Sequence, residues 1–186
     1  MNALLFGFLT FEFIFRLVIE IRQMRFSGKF SSTAILHLIP LVNNCIPMRD
    51  LRAAALPETP FIKAHETAHL KMRHQTLRSG IRISGFGILF FTLIYAWNYS
   101  GATLLLSILL FHLILSFLQV LWNAVCWFQE YEADAAAFKV IGKAGTEKSL
   151  AALIQKEIPK QTLYALLYQE HPPATRRLEK IKTRKR

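Results

Sequence analysis

Residues 83–129 read ISGFGILFFTLIYAWNYSGATLLLSILLFHLILSFLQVLWNAVCWFQ, 47 positions without one Asp, Glu, Lys or Arg, bounded by Arg82 and Glu130. Drawn as a single helix, the stretch would extend about 70 Å, more than twice the roughly 30 Å of a bilayer's hydrocarbon core. It must therefore double back. Its one good turn signal is Asn98-Tyr99-Ser100-Gly101, which divides it into arms of residues 83–97 and 102–128. Tyr95, Trp97 and Tyr99 flank that turn, and Trp122 and Trp127 mark the far end, where interfacial aromatic belts belong. The expected structure is a transmembrane hairpin. The alternative is a buried helical pair in a soluble protein, but few cores this small could cover so much apolar surface. Asn98-Tyr99-Ser100 is also a glycosylation triplet, of a kind common by chance.

The rest of the chain extends this reading. Hydrophobic residues make up 53% of the 186 positions and include 15 Phe, which excludes a disordered tail. Lys and Arg outnumber Asp and Glu by 23 to 12, yet no aromatic platform is interleaved with the basic runs, so no nucleic-acid partner is expected. Cys45 and Cys126 are too few for a disulfide framework and read as reduced thiols. Residues 3–19 form a third apolar segment, interrupted by Glu12 and Arg16, which lie one helical turn apart and can pair. With no basic n-region and no cleavage site, the segment reads as a membrane anchor over residues 1–20 rather than a signal peptide. An interfacial helix is the alternative.

Charge sets the orientation. Residues 21–82 hold ten Lys/Arg against three acids, and residues 130–186 hold twelve against seven. Both basic regions therefore belong in the cytoplasm, with the hairpin tip outside. A hairpin crosses twice, so the residues before Arg82 and after Gln129 emerge on the same face.

One of those regions contains His65-Glu66-Thr67-Ala68-His69. On a helix, positions i and i+4 share a face, so both imidazoles can reach one metal ion, and the adjoining glutamate is placed to act on water. Pro57 and Pro60 upstream are helix-start signals. Zinc used for hydrolysis takes three protein ligands and keeps a fourth position open. A metzincin would place glycine at 72 and histidine at 75, where this chain has Met72 and Gln75. On a continued helix His74 would point elsewhere, about 140° round from His69. A better third ligand comes where the hairpin returns, at Glu130-Tyr131-Glu132-Ala133-Asp134. If the second arm continues as helix, Glu130 and Asp134 share a face and Glu132 lies about 200° from Glu130. Glu130 is then the expected ligand and Asp134 its supporting partner, hydrogen-bonding a ligand imidazole or joining the helices. Glu132 is the rival ligand, and a solvated helix end is the bland alternative.

These motifs, with His74 after the histidine pair and His171-Pro172-Pro173 followed by Arg177, resemble the HtpX-type membrane zinc metalloproteases, relatives of the CAAX prenyl endopeptidases. The resemblance covers about residues 60–182. It implies Glu130 as third zinc ligand with Asp134 behind it. It also implies that His171 lies near the zinc and steadies an oxyanion, and that Arg177 locks the C-terminal segment to the core.

The expected architecture is mainly α. It has a 1–20 anchor, a cytoplasmic 21–82 segment bearing the HExxH helix, an 83–129 hairpin, and a helical 130–186 segment bearing the third ligand. Together these enclose a small zincin-like (gluzincin) catalytic unit. Residues 33–39 could add a short edge strand on which an extended substrate lies, interrupted afterwards by Pro40 and Pro47. Residues 143–170 read as one or two amphipathic helices, and residues 176–186 as a basic helix and tail able to touch anionic headgroups. His112, inside the second arm, reads as a neutral imidazole bonded across the hairpin.

The expected function is a zinc endopeptidase of a plasma membrane, of the bacterial inner-membrane kind, with a cytoplasm-facing site. One Zn²⁺ would be held by His65, His69 and Glu130, with Glu66 as general base and His171 at the oxyanion. Its partners would be the bilayer and a polypeptide substrate. Two alternatives keep the metal: a sensor-transducer protease that cleaves one regulatory partner, and a non-catalytic adaptor with a structural ion.

Overall fold

The computed structural model describes residues 2–28, 38, 59–97 and 101–183. In chain order its helices are α1 (Asn2–Ser27), α2 (Pro60–Lys71), α3 (His74–Trp97), α4 (Gly101–Lys156), α5 (Thr162–Tyr168) and α6 (Ala174–Lys182). No strand occurs among the described residues. The turn at 98–100, Cys45, and the proposed edge strand apart from Leu38 lie outside them.

Local sequence explains where the helices start and bend. Thr59 caps α2, its Oγ1 accepting from the Ile62 amide at 3.2 Å, and Pro60 occupies the first turn, where a missing N–H costs nothing. α4 continues from the apolar arm straight through Glu130 and Asp134. It bends only at Gly142, whose φ of 79° and ψ of 173° lie in a region open essentially to glycine.

The bend folds the end of α4 back over α2. Phe61 of α2, Ala137 and Leu150 from either side of Gly142, and Ile181 of α6 make a fully buried cluster, flanked by Ile62, Phe138, Leu153 and Leu178. This core holds the histidine-bearing helix against α4. The C-terminal strip is pinned to α4 by polar bonds. Asn123 Nδ2 donates to the Leu166 carbonyl at 2.7 Å, Trp127 Nε1 to the Gln169 carbonyl at 3.0 Å, and Trp122 Nε1 to Glu170 at 3.0 Å. Trp122 and Trp127 thus bond to protein, and Trp127 is only 8% exposed.

The apolar ends of α3 and α4 are covered far less. Ile83, Phe86, Ile88 and Phe91 on α3 and Leu106, Leu110 and Phe117 on α4 are all more than half exposed. α4 is the one described helix long and apolar enough to cross a membrane.

α1 docks on this region through charge. Glu12 accepts from Arg16 Nε at 2.8 Å, the pair its spacing suggests, and stands 2.7 Å from His112 Nε2. His112 therefore bonds to α1, a partner other than the one expected across the hairpin. The opposite arm offers only uncharged side chains, whereas Glu12 brings a carboxylate able to stabilise a buried imidazole N–H. Further along α1, Gln23 Nε2 donates to the Pro159 carbonyl at 2.8 Å.

Nothing lies within 4 Å of a Cβ added at Gly142, so Gly142→Ala tests backbone strain alone. It should lower stability by about 1–3 kcal/mol, read as a drop in the thermal midpoint of the detergent-solubilised chain. An unchanged midpoint would show that the bend tolerates an L side chain.

Candidate metal centre

α2 presents His65 and His69 one turn apart toward α4, and α4 presents Glu130 toward α2. The Nε2 atoms of the two histidines are 3.1 Å apart. His65 Nε2 lies 3.3 Å from Glu130 Oε2, and His69 Nε2 lies 3.4 Å from Glu130 Oε1. One donor atom from each of the three falls within 4.8 Å of the others. Zinc bonds of about 2.0–2.1 Å at tetrahedral angles would set ligand atoms about 3.3 Å apart, so the spacing suits such an ion. The donor chemistry suits it too. With each proton on the distal Nδ1, two imidazole lone pairs and a carboxylate face one another with no hydrogen between them, and a cation resolves the repulsion.

Each of these groups has a partner behind it. His65 Nδ1 is 3.0 Å from Asp134 Oδ1, and Asp134 also accepts both arms of the Arg177 fork, from Nε at 2.8 Å and Nη2 at 2.6 Å. Asp134 thus does both things its position allowed, bonding an imidazole and joining α4 to α6. Glu130 is braced from α3, where Arg78 Nη2 reaches Oε1 at 3.2 Å while Nε donates to Gln129 Oε1 at 2.6 Å. His171 Nδ1 lies 3.2 Å from the same Oε1, with its side chain 68% exposed at the lip of the site. It is carried there by the pinned strip, in which Glu170 also accepts from Arg82 and His171 is followed by the buried Pro172 and Pro173. Glu66 is exposed beside His65.

Electrostatics follow from these contacts. Burial would raise the Glu130 pKa, but the neighbouring imidazoles of His171, His65 and His69 outweigh it and hold the carboxyl far below the usual range. Burial also opposes ionisation of Asp134, and the Arg177 fork and His65 overcome it. For His65, burial disfavours the charged form, while Asp134 and Glu130 more than offset that and raise its pKa.

One expectation changes. His74 does not point away. The helix breaks at Met72–Arg73, where Arg73 adopts φ 54°, and α3 restarts at His74 with its Nδ1 2.8 Å from His69 Nδ1. Glu132, the rival ligand, faces His74 Nε2 at 3.4 Å and stands outside the cluster of three. Arg78 and Gln129 were missed by sequence reasoning. The only trace of Arg78 is that it lies one turn after His74, on a helix whose start the sequence does not mark.

A model of peptidase family M48 matches residues 48–185, which is 138 of the 186 positions. The chain belongs to peptidase family M48. M48 is a metalloendopeptidase family that includes HtpX-type and CAAX-type relatives, and the chain is a metallopeptidase accordingly. The match spans the residues His65, His69, Glu130, Asp134, His171 and Arg177, consistent with a zincin-like catalytic domain. No individually curated protein matches the chain.

Asp134 is 1% exposed, so Arg177→Ala, which removes its cationic partner, should cost about 3–5 kcal/mol in chemical denaturation at neutral pH. Arg177→Lys should recover only part, because an ammonium cannot form the fork. Asp134 has a depressed folded-state pKa, so the pair's contribution is full above the unfolded value and lost as pH falls through the folded one. The gap between wild type and Arg177→Ala should therefore shrink as pH falls below about 4.

Proposed function

We propose that the chain is an integral membrane zinc endopeptidase that hydrolyses unfolded or membrane-associated polypeptides at a cytoplasm-facing site. The observation that carries this reading is the convergence of three acceptor groups at tetrahedral spacing, with Glu130 on the helix that itself forms a bare apolar arm. A surface of exposed Phe, Leu and Ile along α3 and α4 suits lipid and would be a liability in water. The basic excess on both sides of the hairpin supports placing the site in the cytoplasm. Nearness to the bilayer favours substrates already at the membrane or too unfolded to be excluded by it.

His65, His69 and Glu130 would hold the ion. When bound, zinc supplies Lewis-acid polarisation of a carbonyl and lowers the pKa of water to about 7. Glu66 is exposed and next in sequence to His65, and its carboxylate would take the proton of the attacking water and return it to the leaving amine. His171, exposed beside Glu130, would offer a ring N–H to the oxyanion that develops on the scissile carbonyl. Asp134 and Arg177 keep His65 in register while these charges move. Glu66 also favours catalysis over a structural ion, because a structural site has no use for an exposed base beside its ligand.

Detergent-purified protein should degrade an unfolded casein-like substrate, and a chelator should abolish that activity. Glu66→Gln should lower the rate by about 10²–10⁴-fold with zinc content unchanged. Full activity in that variant would overturn the mechanism. Glu130→Ala should lose most of its zinc by metal analysis, whereas full stoichiometry would move the third-ligand role elsewhere.

A further inference from the structure

We propose that His74, backed by Glu132, orients the zinc ligand His69, so that the two histidines of the motif are held by different chemistry. The proposal rests on the zinc-peptidase reading and adds to it a positioning residue outside the HExxH motif.

The hydrogen positions follow from the distances. His69 turns Nε2 toward His65 and Glu130, so ligation through that atom requires the ring proton on Nδ1. Its Nδ1 is 2.8 Å from His74 Nδ1, too close for anything but a hydrogen bond. His74 Nδ1 must then be the acceptor, which puts the one proton of a neutral His74 on Nε2. That atom faces Glu132 Oε2 at 3.4 Å, a carboxylate able to accept it. One tautomer assignment satisfies the whole chain from Glu132 through His74 to His69.

Packing keeps the two rings in this relation. Their centroids are 4.9 Å apart with planes at 73°, an edge-on contact, and His74 is only 5% exposed. The contact exists because the backbone departs from helix at Met72 and Arg73, the latter at a φ of 54° that side-chain-bearing residues rarely adopt. On an unbroken helix, residue 74 would stand on another face. Across the site, His65 receives the corresponding support from Asp134, an ionised acid. A carboxylate pulls on the N–H more strongly than an imidazole, so His69 is the less electron-rich of the two ligands.

The test uses the full-length protein in detergent, with zinc affinity measured by competition with a chromophoric chelator and coordination read from the visible spectrum of the Co²⁺ form. His74→Phe, which cannot accept, should weaken zinc binding about 10- to 100-fold and shift the cobalt bands. His74→Asn places an amide oxygen near the lost Nδ1 and should restore binding to within about threefold of wild type. Glu132→Leu, at a half-exposed position that folding tolerates, should produce a smaller loss of about three- to tenfold and a shift of the same bands. Wild-type affinity with an unchanged cobalt spectrum in either His74→Phe or Glu132→Leu would overturn the proposal. His65→Ala serves as reference and should lose zinc altogether. A wild-type chain that takes up no zinc would instead remove the peptidase reading, and this proposal with it.

Discussion

The Asp134 carboxylate makes three contacts at once, with His65 on α2 and with two nitrogens of Arg177 on α6, while itself standing on α4. Buried as it is, it could not remain ionised without them. The same contacts fix where α2 and α6 sit along α4. Asp134 lies one turn beyond Glu130, so locking His65 to Asp134 also sets the approach of His65 to the third acceptor. The apolar cluster around Phe61 supplies adhesion between these helices, but adhesion without direction would allow them to slide. The ion pair fixes the register.

Much of this was legible because it rests on helical period. The spacing of His65 and His69, the spacing of Glu130 and Asp134, and the charge-free stretch between them are all local patterns, and the structure brings the four side chains together. α3 ends at Trp97 and α4 starts at Gly101, on either side of the turn signal at Asn98 to Gly101. What was not legible depended on departures from period or on distant partners. The break at Met72–Arg73 carries no glycine or proline, so nothing in the sequence announces that His74 swings back onto His69. Arg78 gains its meaning only from that restart. Glu12, which bonds to His112, is a hundred residues away on α1, and no spacing rule reaches so far.

The two tryptophans show a related limit. Composition places them correctly near the end of the apolar arm, and an interfacial role is the natural inference from position. Their indole N–H groups hold Gln169 and Glu170, which places His171 beside Glu130. The same residue type serves both purposes, since a Trp needs an acceptor for its N–H wherever it is buried. Only the return of the C-terminal strip decides between them.

The order of the three ligands along the chain has a practical corollary. His65 and His69 precede the lipid-compatible stretch and Glu130 follows it, so no single cut can liberate a water-soluble fragment containing all three. An excised catalytic head would require its two halves to be rejoined by an artificial linker replacing most of residues 83–128. Such a linker need span only the short gap between α3 and α4 near Arg82 and Gln129, where Arg78 and Arg82 already bridge the two helices.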